Sequence, residues 1–400
     1  EKTKDYIIAR NILTEPGMIY NENLIKEDLV RLYATQAFKD VTREIEPSED
    51  IPDAYDITIK IQEQRTASVS VGGGLDTVTG LFGSMGISEN NFRGRCERLS
   101  LTGLVGTGVI LNDSSVKDHM NIQAELSYFK PYFYNADTLD RSSAASDVYK
   151  RQRHATATFS LGAENIDVSE GDFNGISALY NRYNIPISER AKQLEGGLFL
   201  SLSPALLYDT RDSATVTRHG TMASLRFDEN LGLNGFDKTN GKLTGMIKQY
   251  IPIAKKSSLS FTVKGGGAIH GDIPEVMAYR LGGPYTVRGF KMSGVGTGNA
   301  FIMGSAEFAT PIPFLDRTRI AFLNNLRFTI WADAGKVFDG TVSNTIYDRP
   351  TYAVSAGIGL KVFIPGMGPL SIDYGIPLTN PGDNGSRNGY FTFGVGDLLY

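Results

Sequence analysis

Leu326-Arg327-Phe328-Thr329-Ile330-Trp331-Ala332-Asp333-Ala334 places leucine, phenylalanine, isoleucine and two alanines on one parity, and arginine, threonine, tryptophan and aspartate on the other. A period of two is that of an extended strand, whose side chains alternate between the two faces of a sheet. Working outward, the same pattern recurs. Ile122, Ala124, Leu126 and Tyr128 alternate with Gln123, Glu125 and Ser127. Leu259, Phe261 and Val263 alternate with Ser260, Thr262 and Lys264, and Val354, Ala356, Ile358, Leu360 and Val362 alternate with small or polar partners. About 15 such segments follow residue 66. Shared among 16 strands, the remaining ~335 residues allow about 21 per strand and loop, enough for membrane-crossing strands of about 9–11 residues.

Composition agrees with a chain of one-sided strands. Gly makes up 44 of 400 residues and aromatics 10%, while AVILMFWYC residues reach only 41% and mean hydropathy is −0.17. No run approaches the roughly 18 uninterrupted apolar residues that a membrane-spanning helix needs, which excludes helical membrane proteins but not β-barrels. A net charge of −4 gives no broad electrostatic footprint for nucleic acid. The single cysteine, Cys96, has no internal disulfide partner, and His119, His154, His219 and His270 are scattered. No metal site and no cofactor are expected. The chain opens Glu-Lys-Thr-Lys without methionine or an apolar leader, the look of a mature or excised fragment.

Alternation alone does not choose between a soluble sandwich, which buries its apolar faces in one core, a β-solenoid, and a transmembrane barrel, which turns them to lipid. The strand number, the absence of a fixed-period repeat and an aromatic final strand, Tyr390-Phe391-Thr392-Phe393 to Leu398-Leu399-Tyr400, favour the barrel.

Residues 1–64 differ. Ile8 and Ile12 lie four apart before a turn at Glu15-Pro16-Gly17, and Ile25, Leu29 and Leu32 share one face of a helix over 23–32 with an asparagine cap. Strands are expected over 41–46 and 55–62, the second alternating Ile57, Ile59 and Ile61 with polar residues. The result is a small α+β module of a size that is marginal alone.

Candidate functional residues concentrate at Tyr279-Arg280-Leu281-Gly282-Gly283-Pro284-Tyr285-Thr286-Val287-Arg288-Gly289-Phe290. Gly-Gly-Pro turns the chain, and Gly289 allows close backbone approach. Downstream, Glu307 has the opposite parity to Ile302, Ala306 and Phe308, and Asp333 lies on the polar parity of its strand. If the apolar parity meets lipid, both carboxylates point inward, where an arginine on an in-folded loop pairs with them through a planar fork that lysine lacks.

This set of motifs closely resembles the BamA family of outer-membrane β-barrel assembly factors and the wider superfamily that includes two-partner-secretion and translocation-assembly transporters. The resemblance covers essentially the whole chain. Val287-Arg288-Gly289-Phe290 matches the family's loop tip that folds back into the barrel, and Glu307 and Asp333 fall where acidic lumen partners of that arginine are found. Tyr208-Asp209-Thr210-Arg211-Asp212, Asn91-Phe92-Arg93-Gly94-Arg95, and Gly366-Met367-Gly368-Pro369-Leu370 leading to Tyr374-Gly375-Ile376-Pro377-Leu378 are similar to further family segments. Residues 1–64 resemble the last periplasmic POTRA module, lacking its first strand, which implies a truncated N-terminus. Cys96 stands where the family usually has a small residue and is read as incidental. Ser142 to Gln152 resembles a peptide translated from sequencing-adapter DNA.

The resemblance implies a mainly β fold: an about 16-stranded antiparallel transmembrane β-barrel over residues 65–400, preceded by the POTRA module over 1–64. It implies a bacterial outer-membrane location with the module in the periplasm, and insertion of client proteins without covalent chemistry. Gly72-Gly73-Gly74 beside Val69 and Val71 in the first barrel strand, and Phe391, Phe393 and Tyr400 in an irregular last strand, point to a weak seam serving as a lateral gate. Expected partners are unfolded outer-membrane β-barrel proteins, accessory assembly lipoproteins bound through POTRA, and membrane lipid. Related polypeptide transport and, further off, a passive porin are the alternatives. No Gly-x-Ser-x-Gly elbow or phosphate cradle suggests an enzyme.

Overall fold

The computed structural model describes residues 2–35, 37–48, 51–52, 54–76, 80–106, 121–131, 155–166, 197–213, 216–233, 239–254, 256–274, 277–291, 293–313, 315, 324–340, 344, 349–364, 368–382 and 386–395. His119, His154, the segment 142–152, Gly366, Met367 and Tyr400 lie outside them.

The chain begins with α1 (Asp5–Asn11) and α2 (Glu22–Ala34), followed by the antiparallel pair β1 (Phe38–Pro47) and β2 (Tyr55–Glu63). The cap of α2 is Asn21 rather than a residue inside the asparagine-led run: its side chain accepts from the amides of Asn23 and Leu24, satisfying two donors that a helix start leaves unpaired. Asp28 is fully buried and accepts from the Leu13 and Thr14 amides at 2.6 and 3.1 Å, fixing the connection between the helices. Ile7, Leu32, Ala37, Phe38 and Val41 form the module's core. On its surface, hydrogen bonds from Arg43 and then Tyr20 hold the Glu22 carboxyl down at about 2.

Fourteen long strands follow in one sheet, with one short addition. They are β3 (Ala67–Asp76), β4 (Gly80–Phe92), β5 (Glu97–Gly106), β6 (Asn121–Pro131), β7 (Ala155–Ile166), β8 (Gly197–Asp209), β9 (Gly220–Gly232), β10 (Asn240–Pro252), β11 (Ser258–His270), the three-residue β12 (Tyr279–Leu281), β13 (Gly296–Pro311), β14 (Arg327–Gly340), β15 (Tyr352–Ile364), β16 (Gly368–Pro377) and β17 (Tyr390–Val395). Long strands pair with their sequence neighbours, all antiparallel, and β12 adds to β13. β3 and β17 stand at the two ends of this order. Sixteen strands were expected; the described residues supply fourteen long ones, and 132–154 and 167–196 lie outside the description.

Burial chooses among the alternatives that alternation left open. On β14, Ile330 is 51% exposed while Thr329 and Asp333 are each 1% exposed. Phe261 and Val263 on β11 are likewise exposed beside buried Ser260, and Ile358 on β15 beside buried Ser355. A water-soluble sandwich sorts side chains the other way. A sheet with a polar covered face and an apolar open face is the wall of a transmembrane barrel, with hydrocarbon as the solvent of the open face. Among the described residues no helix is long and apolar enough to cross a membrane.

Cys96 corrects the reading of it as incidental. The turn between β4 and β5 bends through positive φ at Arg93, Gly94 and Cys96 and delivers Cys96, 7% exposed, into the module's core beside Ile7, Leu32 and Phe38. Asn91 donates to Thr3 Oγ1 at 2.8 Å and accepts from the Cys96 amide at 2.9 Å. The Lys4 amide donates to the Gly94 carbonyl at 2.8 Å. Gly94 is required twice over: its φ is +72°, and a Cβ there would stand 1.8 Å from the Lys2 carbonyl oxygen. Glu63 secures the other side of the joint, accepting from the Lys2 and Thr3 amides.

Candidate functional site

The segment from β11 to β13 spans residues 271–295 and turns back onto the covered face of the sheet. After β12 the backbone bends at Gly282 and Gly283, both at positive φ. The Gly282 amide donates to Thr286 Oγ1 at 2.9 Å and the Gly283 amide to the Val287 carbonyl at 3.2 Å, closing a tight loop. Leu281, Val287, Phe290 and Val295 are almost wholly buried and pack with Phe301 and Met303 of β13, Val337 of β14 and Ala353 of β15. This apolar cluster holds the loop by burial of side chains on both its arms.

Arg288 extends from the apex of that loop. Its Nε and Nη2 donate to the two oxygens of Asp333 at 2.8 and 2.9 Å, and its own amide donates to Asp333 Oδ2 at 3.1 Å. Nη1 donates to Glu307 Oε2 at 2.8 Å and to Asp373 Oδ1 at 3.4 Å, and Nη2 to Ser305 Oγ at 3.2 Å. The guanidinium lies 4.0 Å from the centre of the Trp331 ring. Glu307 has a second cation, Lys361 Nζ, at 2.6 Å. A buried charge requires such a set of partners, because leaving water costs more than a single hydrogen bond returns. A lysine would present neither the fork nor the flat face that stacks on tryptophan.

The two acids expected from parity, Glu307 and Asp333, both meet Arg288. Asp373, Lys361 and Trp331 were not singled out in that role. The signal for Asp373 was present: in Leu370 to Gly375 it lies on the parity of Ser371 and Gly375, opposite Ile372 and Tyr374. Trp331 shared the inward parity with Asp333, but an apolar ring among polar neighbours gives no hint of a stacked cation. Gly289, at φ +82°, sits so close to β16 that a Cβ there would lie 2.9 Å from the Gly375 carbonyl carbon. Val287 and Phe290 are anchors in the apolar cluster, so each residue of the four-residue motif touches the covered face.

The expected seam residues that are described lie away from this cluster, on the two end strands. Val69 and Val71 on β3 and Phe391 and Phe393 on β17 are all exposed on the open face. Gly72, Gly73 and Gly74 are in strand register with Ser84, Gly83 and Phe82 of β4, and β3 runs on to Asp76. At the end of β8, Asp209 is held by both Nε and Nη2 of Arg211, while Asp212 accepts from the amides of Arg218 and His219. Both acids are thus supplied with their own partners.

A family model described as the Omp85 superfamily domain matches residues 91–397, and a POTRA model described as surface antigen variable number repeat matches residues 1–64. Outer envelope protein 80, chloroplastic, of Arabidopsis thaliana is 22% identical over 417 residues, covering 99% of this chain and 54% of its own length. Outer membrane protein assembly factor BamA of Neisseria meningitidis serogroup B is 21% identical over 467 residues, covering 98% of this chain and 55% of its own length. The chain thus spans about half the length of these curated relatives. The crystal structure of BamA from Haemophilus ducreyi lacking POTRA domains 1–3 superposes with a TM-score of 0.56 at 19% identity, over 99% of this chain and 81% of that one, a likeness of fold.

Proposed function

We propose that this chain, which belongs to the Omp85 superfamily, folds and inserts β-barrel client proteins into an outer membrane through a lateral gate between β3 and β17. It is an outer-membrane β-barrel protein of a family of barrel assembly and transport proteins, with its POTRA module in the periplasm. The observation that carries the reading is the loop seated on the covered face by Arg288, Glu307 and Asp333. The brace ties the loop to β13, β14 and β16, and a machine that opens one seam needs the rest of its wall held in shape.

The chemistry is that of backbone pairing. A strand entering hydrocarbon with unpaired N–H and C=O groups loses several kcal/mol for each, so a client strand is stabilised by adding to an exposed strand edge before it enters. β17 pairs with β16 through Tyr390–Val395 against Leu370–Gly375 and ends the strand order of the described residues. β3 offers the other edge, and its three glycines contribute no side-chain packing to hold a partner there. The proposed partners are unfolded outer-membrane β-barrel proteins, accessory lipoproteins acting through the POTRA module, and the surrounding lipid. Arg288 acts by holding the loop, and no covalent step is assigned to any residue.

Reconstitution into liposomes tests this. Heat-modifiable, protease-protected client barrels should accumulate with the chain present, and stop when a disulfide between cysteines introduced at Val69 and Phe393 locks the seam. Client insertion that continues through the locked seam overturns the gate. Passage of a soluble polypeptide without any client barrel being inserted assigns the chain to polypeptide transport instead.

A further inference from the structure

The loop reaches beyond its ionic brace, toward the end of the sheet. Asp333 holds Arg288 with three hydrogen bonds. Asp373, one strand from the end, meets it through a single contact at 3.4 Å, and its other oxygen is buried without a well-formed hydrogen bond, the Ser371 side chain interacting with the carboxyl. In strand register Asp373 faces Thr392 of β17, whose hydroxyl is buried and unpartnered. Beside this weak ionic contact lies a tight steric one. A Cβ on Gly375 would stand 2.8 Å from the Gly289 backbone and 2.4 Å from the Trp331 ring. Farther along, a Cβ on Gly394 of β17 would lie 3.4 Å from Pro284 and 3.5 Å from Tyr285. One loop therefore rests on β14, β16 and β17 in sequence, reaching β17 also through Lys291, whose Nζ lies 5.9 Å from the centre of the Tyr390 ring, and its ionic contacts lengthen from Asp333 of β14 to Asp373 of β16.

We propose that Asp373 is a positioning residue that couples seating of the loop to the closing edge of the sheet, so that the Arg288–Asp373 contact and the Gly289–Gly375 approach set how readily β17 separates from β3. This coupling rests on the proposed gate between β3 and β17. A bidentate pair such as Arg288–Asp333 resists exchange, whereas a single long contact beside polar atoms without well-formed hydrogen bonds is made and broken at small cost. The strong half of the cluster keeps the loop in place and the weak half transmits its position to β16. Tight contact then carries that position across the sheet, because a close-packed interior transmits small displacements.

The test uses the full chain in liposomes, spin-labelled at Val69 and Phe393, with the label-to-label distance distribution and client insertion measured on the same preparations. Asp373→Asn should leave the loop resistant to protease, broaden the distribution toward longer distances and change the insertion rate several-fold; Asp373→Glu, which keeps the charge, should restore a good part of both. Gly289→Ala changes no charge but pushes the loop off Gly375, and should shift the same distribution, so it serves if Asp373→Asn does not fold. An unchanged distribution in both Asp373→Asn and Gly289→Ala overturns the coupling. So does a distribution that moves only when Asp333 is changed. Because the distance is read without a client, an absence of insertion by the unaltered chain sinks the gate reading alone and leaves the coupling separately decided.

Discussion

The two ends of the sheet are held by different chemistry. β13, β14 and β16 are braced from the covered face by a loop whose apex is an arginine among three acids. β4 and β5 are braced from outside the barrel by their own turn, which inserts Cys96 into the core of the POTRA module and is secured by neutral hydrogen bonds to Thr3 and Lys4. Backbone pairing is antiparallel in both regions, interrupted by one register shift between Glu89 and Phe92 in the second. The difference shows that strand pairing makes the wall, while side chains decide which part of it is stiff. An ionic brace depends on a few atoms in strict geometry; an apolar plug with backbone bonds tolerates more.

The largest effect is expected from Arg288→Ala. It strands Glu307, Asp333 and Asp373 together without the fork that joins them, and breaking a buried pair in this way costs about 3–5 kcal/mol. The denaturant midpoint should fall and protease should cut the loop, while the amides of Thr3 and Lys4 keep their hydrogen-exchange protection. Loss of protection at both ends would show that the two braces are one.

Gly94→Ala probes the other end. A left-handed backbone costs a side chain about 1–3 kcal/mol, and here the Cβ also runs into the Lys2 carbonyl. Thr3 and Lys4 amides should exchange faster and the Arg288 loop should stay protected. A smaller effect is expected from acid. Hydrogen bonds from Thr3, together with the Lys2 and Thr3 amides, lower the Glu63 carboxyl from the ordinary glutamate value. Its contribution is complete above the ordinary value of 4.5 and is lost as pH falls through the lowered one. The difference in midpoint between the unaltered chain and Glu63→Gln should therefore shrink on acidification from pH 7 toward pH ~3. An increase would overturn the assignment. Least of all should come from Glu125→Gln on β6, whose carboxylate is exposed and accepts from Ser127 two residues away. A change within about 0.5 kcal/mol is expected, and a loss approaching that of Arg288→Ala would erase the distinction between braced and unbraced strands.

Much of this was legible from residue order, because period two survives whichever solvent meets the apolar face. The strands around Ile122–Tyr128, Leu259–Lys264 and Leu326–Ala334 were read from parity alone, and parity also put Glu307 and Asp333 on the side that meets Arg288. What parity does not carry is depth along the strand or distance across the lumen. Asp373 and Lys361 have the inward parity too, but only the folded loop shows that they reach the same arginine or its glutamate. The asparagine cap lay two residues before the helical run because Asn21 and Asn23 are both acceptable by type, and only backbone geometry chooses between them. Cys96 was read as incidental because its contacts are to residues some 55–90 positions earlier in the chain, a separation that no local pattern encodes.

That insertion of Cys96 has a consequence for the protein's own biogenesis. Ile7, Leu32 and Phe38 close their core around a residue that is synthesised after the first two barrel strands. A nascent chain that ends before residue 91 leaves one wall of that core open to water and Asn91's bond to Thr3 unmade. The small module therefore completes its own fold only as the start of the barrel takes shape, and the maturity of the one registers the progress of the other.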